Sequence, residues 1–164
     1  MLGIVMAGGK SSRMGMEKQM IEFKGKLLLD IACESIILSG NICFVAISKN
    51  APNTMKYAMS KYHCFLTPGN GYVEDVKFIL NILNTPFITV ASDIPFVKPW
   101  HIKEIVENFH NKSVAGVILD ENGIHYTGIN IVSNIGDDYY LFKDKKLLFY
   151  INTREDLEMA LKVI

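Results

Sequence analysis

Three glycines, three cations and two hydroxyls fall within twelve residues, Ala7-Gly8-Gly9-Lys10-Ser11-Ser12-Arg13-Met14-Gly15-Met16-Glu17-Lys18, directly after the apolar run Leu2 to Met6. A strand followed by a glycine-rich turn and basic residues presents backbone N–H groups and cations to a polyphosphate. Glycines let the backbone approach closely and take positive φ. Arg13 can grip two oxygens at once, and Lys18 offers a compact charge. A second chemical feature lies at Ser92-Asp93-Ile94-Pro95-Phe96, after the apolar run Phe87 to Ala91. At the carboxyl end of a strand, Asp93 is placed to hold Mg²⁺ that also touches phosphates, and it is equally a plain helix cap. In Gly128-Ile129-Asn130-Ile131-Val132, Asn130 could complete such a Mg²⁺ site as a neutral oxygen ligand, or could be a strand asparagine bonded to backbone.

Commoner owners of such a loop do not fit. Gly9-Lys10-Ser11 suggests a Walker A motif, but that motif needs glycine at position 4, where Ile4 stands, and Gly3 is one residue off. The GxGxxG of dinucleotide-binding folds is absent too. His63, His101, His110 and His125 share no metal-ligand spacing, no GxSxG elbow occurs, and Cys33, Cys43 and Cys64 form no CxxC pair. Covalent nucleophilic catalysis therefore lacks a candidate, and a reducing cytoplasm suits the cysteine usage.

The segment GGKSSRMGMEK resembles the GGxSxRMGxxK signature of nucleotidyltransferases in the nucleotide-diphospho-sugar transferase superfamily, and Ser92-Asp93-Ile94-Pro95 resembles the context of that superfamily's metal-binding aspartate. The stretch Thr67 to Asp75, the Gly128-Ile129-Asn130 segment and Ile151-Asn152-Thr153-Arg154-Glu155-Asp156-Leu157 are similar to archaeal-type adenosylcobinamide-phosphate guanylyltransferases, nearly end to end. The resemblance implies transfer of GMP from GTP to a corrinoid phosphate with Mg²⁺. It implies Lys18, Arg13 and Asp93 as catalytic residues, and Ala7, Gly8, Gly9, Lys10, Arg13, Gly15, Lys18, Gly71 and Asp75 around the nucleotide, with Asp75 near the nucleoside. Asp75 in a first helical turn also has a purely structural reading, and Asn152 stands as an outside candidate. Many relatives follow the lysine with Pro-Leu; here Gln19-Met20 predicts a less rigid loop exit. A molybdenum cofactor guanylyltransferase, or a catalytically silent GTP-binding module, are the alternatives.

The elements that must position these residues follow from patterning. Short β-branched runs alternate with amphipathic stretches, as in a sheet covered on both faces by helices. Strands are predicted at Leu2 to Met6, Ile42 to Ile47, His63 to Leu66, Phe87 to Ala91, Val114 to Leu119, Gly128 to Val132 and Leu147 to Ile151. Helices are predicted from Tyr72 to Leu83, from Pro99 with Ile102, Ile105, Val106 and Phe109 inward, and from the capping box at Thr153 with Leu157, Ala160, Leu161 and Ile164 inward. Asn122-Gly123 marks a hairpin, and Asp137-Asp138-Tyr139-Tyr140 reads as a solvated turn. The expected fold is a three-layer α/β/α, Rossmann-like, mixed but mostly parallel sheet, in one nucleotidyltransferase domain over residues 1–164.

Composition agrees. Apolar residues make up 49% and charged residues 21%, ordinary for a globular chain. Seventeen basic residues balance seventeen acidic ones, so no overall field draws the chain to nucleic acid or anionic membrane, and any anion site must be local. The opening apolar run is too short for a membrane span or signal-peptide core.

Overall fold

A computed structural model describes residues 1–10 and 14–163; the expected phosphate ligand Arg13 and the inward-facing Ile164 lie outside the described residues. The chain opens with β1 (Leu2–Met6), a small hairpin of β2 (Glu22–Phe23) and β3 (Lys26–Leu27), then helix α1 (Leu28–Ile37), β4 (Ile42–Ile47), α2 (Pro52–Lys61) and β5 (His63–Leu66). It continues through α3 (Tyr72–Leu80), β6 (Phe87–Ala91), α4 (Pro99–Glu107), β7 (Ser113–Asp120), β8 (Gly123–Val132), β9 (Asp137–Leu141) and α5 (Arg154–Leu161).

The seven-stranded sheet has the order β5-β4-β1-β6-β8-β7-β9. All neighbours are parallel except β8, which runs antiparallel to both β6 and β7. The chain builds outward from β1 to β4 and β5, then returns to lay β6 on the other side of β1. This reversal opens a crevice at the carboxyl ends of β1 and β6, where open α/β sheets bind ligands.

On one face, Leu29, Ala32, Cys33 and Ile36 of α1, Ala58 of α2, and Ile102 and Ile105 of α4 bury Val5, Val45, Ile88, Val90 and Ile129. On the opposite face α3 sets Val76 and Ile79 against Ile4, Ala46 and Phe87. Strand alternation explains the division, because adjacent residues such as Ile4 and Val5 point to opposite faces. The second helical layer is thin. Beyond α3 the strip of β8, β7 and β9 on that face stays open. A third cluster at the sheet end joins the β2–β3 hairpin to α5 through Phe23, Phe96, Ile151 and Ala160.

Several expectations need correction. Leu147 to Ile151 is no strand: Lys145–Leu148 forms a 3-10 turn, capped by Asp144, whose side chain accepts from the Lys146 N–H at 3.1 Å. The run is apolar because Leu147 and Ile151 plug two different clusters, and periodicity alone cannot separate that from a buried strand. The predicted turn at Asp137 to Tyr140 is instead the parallel edge strand β9. Leu161 is exposed rather than inward-facing.

Two helices lack a side-chain cap from the residue before them, although α2 has Pro52 in its first turn. The first, α1, has Leu27 before it and no side-chain cap. In α2 the cap is borrowed across 36 residues: one Glu17 oxygen accepts the Asn53 N–H at 3.1 Å and the other accepts the Thr54 N–H at 2.7 Å. Burial raises the Glu17 pKa, but these hydrogen bonds outweigh it and the net shift is downward. By contrast the capping box at α5 is as read from sequence, with Thr153 accepting the Asp156 N–H at 3.1 Å and Asp156 accepting the Thr153 N–H at 2.9 Å.

Candidate active site

Lys18 stands at the centre of the crevice. It opens a 3-10 turn, Lys18–Met20, and its ammonium donates to Asp93 Oδ2 at 3.2 Å and to Asn152 Oδ1 at 2.9 Å. Asp93 lies two residues past the end of β6, and its carbonyl accepts the Ile151 N–H at 2.8 Å. That bond docks the segment carrying Asn152, whose own N–H is held by Asp156 at 2.9 Å. Side-chain exposures of 21% for Lys18 and 19% for Asp93 leave both within reach of a ligand. The pair faces Gly8 and Gly9 across a cavity of about 180 Å³, which Gly71, Tyr72 and Asp75 also line.

The glycine-rich loop is braced from several directions. Ala7 extends the β1 ladder by donating to Ala46 O at 2.9 Å. Ser48 donates to the Gly8 carbonyl at 2.5 Å, and the Asn50 amide donates to Gly69 O at 2.8 Å. One Asp75 oxygen accepts the N–H groups of Gly69 at 2.9 Å and Asn70 at 3.3 Å, so this carboxylate ties down the turn that enters α3. With the carbonyls of Ala7 and Gly8 drawn into the protein, Gly9, like Gly15 further along the loop, has a Cα that faces open space, whereas Gly8 is packed against Ser48 and Thr67.

Gln19 departs most from expectation. Its replacement of proline predicted a looser exit, yet the side chain is 1% exposed and its amide donates to the carbonyls of Ala7 at 3.1 Å and Gly9 at 3.2 Å. Hydrogen bonds take over the work of a stiff ring. Ser48, Asn50 and Gln19 were invisible as site residues because nothing in their local sequence shows which carbonyl they will meet.

The expected residues separate into three places. Gly8, Gly9, Lys18, Gly71, Asp75 and Asp93 converge on the cavity. Lys10 and Gly15 line a neighbouring hollow of about 570 Å³ together with Glu17 and Asn50. Asn130 is not beside Asp93. It is the cross-strand partner of Thr89, inside β6, whereas Asp93 lies four residues further on, past the end of that strand. Its amide donates to the Tyr72 hydroxyl at 3.1 Å, and that hydroxyl is also paired with Thr89 Oγ1 at 2.9 Å. Burial raises the Tyr72 pKa, with both hydrogen bonds opposing, so the phenol stays protonated at neutral pH. His101, though buried, is structural: its Nδ1 accepts the Lys98 N–H at 3.0 Å and its Nε2 pairs with Asp144 at 2.9 Å.

Among the described residues no group of three His, Cys, Asp or Glu side chains could hold a metal ion. Two carboxylates, Asp75 and Asp93, line the cavity, and Asp75 is already engaged by the N–H groups of Gly69 and Asn70. Mg²⁺ is commonly held by one or two carboxylates together with substrate phosphates and water, and Asp93 fits as such a donor.

Comparison with known proteins gives this arrangement its class. Residues 3–154 match the MobA-like NTP transferase domain, and the chain belongs to that family of nucleotidyltransferases. More particularly, it is 32% identical to the adenosylcobinamide-phosphate guanylyltransferase of Methanocaldococcus jannaschii, over 96% of this chain and 94% of that one. A probable molybdenum cofactor guanylyltransferase of the same organism is 28% identical over 74% of this chain and 65% of its own length. Among solved structures, Rv0371c of Mycobacterium tuberculosis H37Rv superposes with a TM-score of 0.80 at 14% identity, covering 100% of this chain and 99% of that one. That protein has also been solved in complex with manganese.

The Gln19 clamp has a measurable consequence. Gln19→Leu is expected to raise KM for the nucleoside triphosphate about thirtyfold, at about 1 kcal/mol for each of the two hydrogen bonds lost, with kcat changed less than about threefold. Gln19→Met, which likewise cannot donate, should behave alike. Unchanged KM in both variants would show that the loop is held without this clamp.

Proposed function

We propose that the chain transfers GMP from GTP to the phosphate of adenosylcobinamide phosphate, releasing pyrophosphate. The observation that carries this reading is the Lys18–Asp93 pair set against Gly8 and Gly9 at the sheet's reversal point. A full-length likeness to a guanylyltransferase of that name supports the choice of substrates.

In this mechanism the Gly8 and Gly9 backbone holds the triphosphate against the end of β1, and Lys18 neutralises the charge that builds on the departing pyrophosphate. Arg13 is assigned to the same charge. Asp93 would hold Mg²⁺, which when bound withdraws charge from the α-phosphate. In the free protein Lys18 and Asp93 neutralise each other; a metal-bound triphosphate offers each a partner of opposite charge. The acceptor phosphate has a second pKa near 6 and is largely a dianion at neutral pH. Its oxygen forms the new bond to the α-phosphorus as the bond between the α-phosphorus and its bridging oxygen breaks, so no general base is required.

The test is incorporation of label from α-labelled GTP, with magnesium, into adenosylcobinamide phosphate or molybdopterin. Label in the corrinoid product with release of pyrophosphate is the expected result. Transfer to molybdopterin alone would replace the acceptor, and GTP binding without pyrophosphate release on either acceptor would reduce the chain to a binding module.

A further inference from the structure

The uncovered strip of the sheet forms a second, larger cavity of about 820 Å³, within the range of sites for small-molecule ligands. It meets the phosphate cavity at a common wall, for Tyr72 and Ala91 line both. Its floor includes Asn130, Ala115 and Tyr139, a cross-strand row over β8, β7 and β9 that continues from the buried Thr89 of β6. Three strands of that row, β8, β7 and β9, lie in the half of the sheet that no described helix covers on this side. At the outer edge Tyr126 and Tyr139 stand with ring centroids 6.4 Å apart, both largely exposed.

The charge pattern is selective. Among the described residues no lysine, arginine or histidine lines this cavity, while Asp137 and Asp138 do. An anionic ligand body would meet two carboxylates and no counter-charge. A neutral or cationic body rich in amide N–H groups would meet acceptors on the rim and apolar side chains within.

We infer that this cavity seats the acceptor's non-phosphate body, a broad, apolar, carboxamide-bearing ring system without negative charge, with its phosphate directed past Tyr72 toward Lys18 and Asp93. The proposal takes the corrinoid acceptor from the reading above and adds where it lies and what recognises it. Tyr72 is the positioning residue at the junction. Its hydroxyl is pinned by Thr89 and Asn130, so its ring is fixed between the two ligands. A corrinoid, with its carboxamides and cobalt(III), meets the charge requirement better than the anionic pterin of the molybdenum cofactor.

The test uses adenosylcobinamide, which lacks the phosphate, with binding read from its visible absorbance in equilibrium dialysis. The wild-type chain should retain it. Ala115→Trp, which fills the floor of the cavity, should weaken binding at least tenfold while the Kd for GTP stays within twofold. Tyr139→Ser, at an exposed edge position, gives a second variant that leaves the core intact, and replacing Asp137 and Asp138 by Asn should weaken binding about threefold, less so at high salt. Equal binding by wild type and both cavity variants would overturn the assignment, as would no binding by wild type. A change in oligomeric state in Ala115→Trp with cobinamide binding unaltered would overturn it too, and would mark the strip as a surface for a second copy. The labelled-GTP assay separates the two claims. Transfer that persists with an unchanged acceptor KM in Ala115→Trp refutes the cavity and keeps the reaction. Cobinamide binding lost in the variant, without label transfer by wild type, keeps the cavity and refutes the reaction.

Discussion

Lys18→Ala is expected to reduce turnover by about two to three orders of magnitude, the usual result of removing one preorganised charge from a site of this kind. The side chain reaches Asp93 and Asn152 at once, and both partners belong to segments far away in sequence. Its removal therefore also leaves the Asp93 carboxylate without its cation. The fold should survive, because an ion pair that is partly exposed contributes no more than about 1 kcal/mol. Steady-state kinetics alongside a thermal melt checks both halves of this expectation. A variant with wild-type turnover would remove Lys18 from the chemistry; one with a collapsed melting temperature would make it a structural tie instead.

Gly69→Ala is expected to be the most damaging small substitution near the site. Gly69 has φ of +73°, where an L side chain is strained, and an added Cβ would stand 2.6 Å from Ser48 Oγ and 2.8 Å from Ser48 Cβ. Ser48 cannot yield freely, since its hydroxyl supports the Gly8 carbonyl. The clash would thus pass from the turn before α3 into the phosphate loop. A loss of about 2 to 4 kcal/mol is expected, combining backbone strain with overpacking, and the melting temperature should fall by roughly 5 to 15 °C. Gly71→Ala separates the two contributions. Its φ of +101° with ψ of 166° is also a backbone conformation reserved for glycine, but nothing lies within 4 Å of the added carbon, so only the strain should appear. Equal losses in the two variants would show that the Ser48 contact relaxes without cost.

Much of the sheet was legible because β-branched runs such as Phe-Ile-Thr-Val-Ala at residues 87–91 state their state locally. The phosphate loop and Asp93 were legible as motifs, and the structure brings Lys18 and Asp93 together as that reading needed. What escaped was of two kinds. Some signals were real but carried by distant residues: α2 begins where Glu17 reaches it, and Gln19 stiffens the loop through carbonyls ten and twelve residues earlier. Others were ambiguous in principle. The apolar run from Leu147 serves two clusters without being a strand, and Asp137-Asp138-Tyr139-Tyr140 is polar at the front because β9 is an edge that borders the large cavity. Asn130 was read on chemistry alone; only the register of β8 against β6 shows that its amide serves Tyr72.

The antiparallel course of β8 has a bearing on how such a chain can change over generations. Inserted between β6 and β7, it ends the parallel half-sheet that carries the glycine-rich loop and Asp93, and begins a second half, β8-β7-β9, joined to the first in the sheet by a single strand pairing. Substitutions on the outer three strands can reshape that surface while β1, β4 and the residues around Lys18 keep their register. A lineage can therefore trade one acceptor for another without rebuilding its nucleotide chemistry.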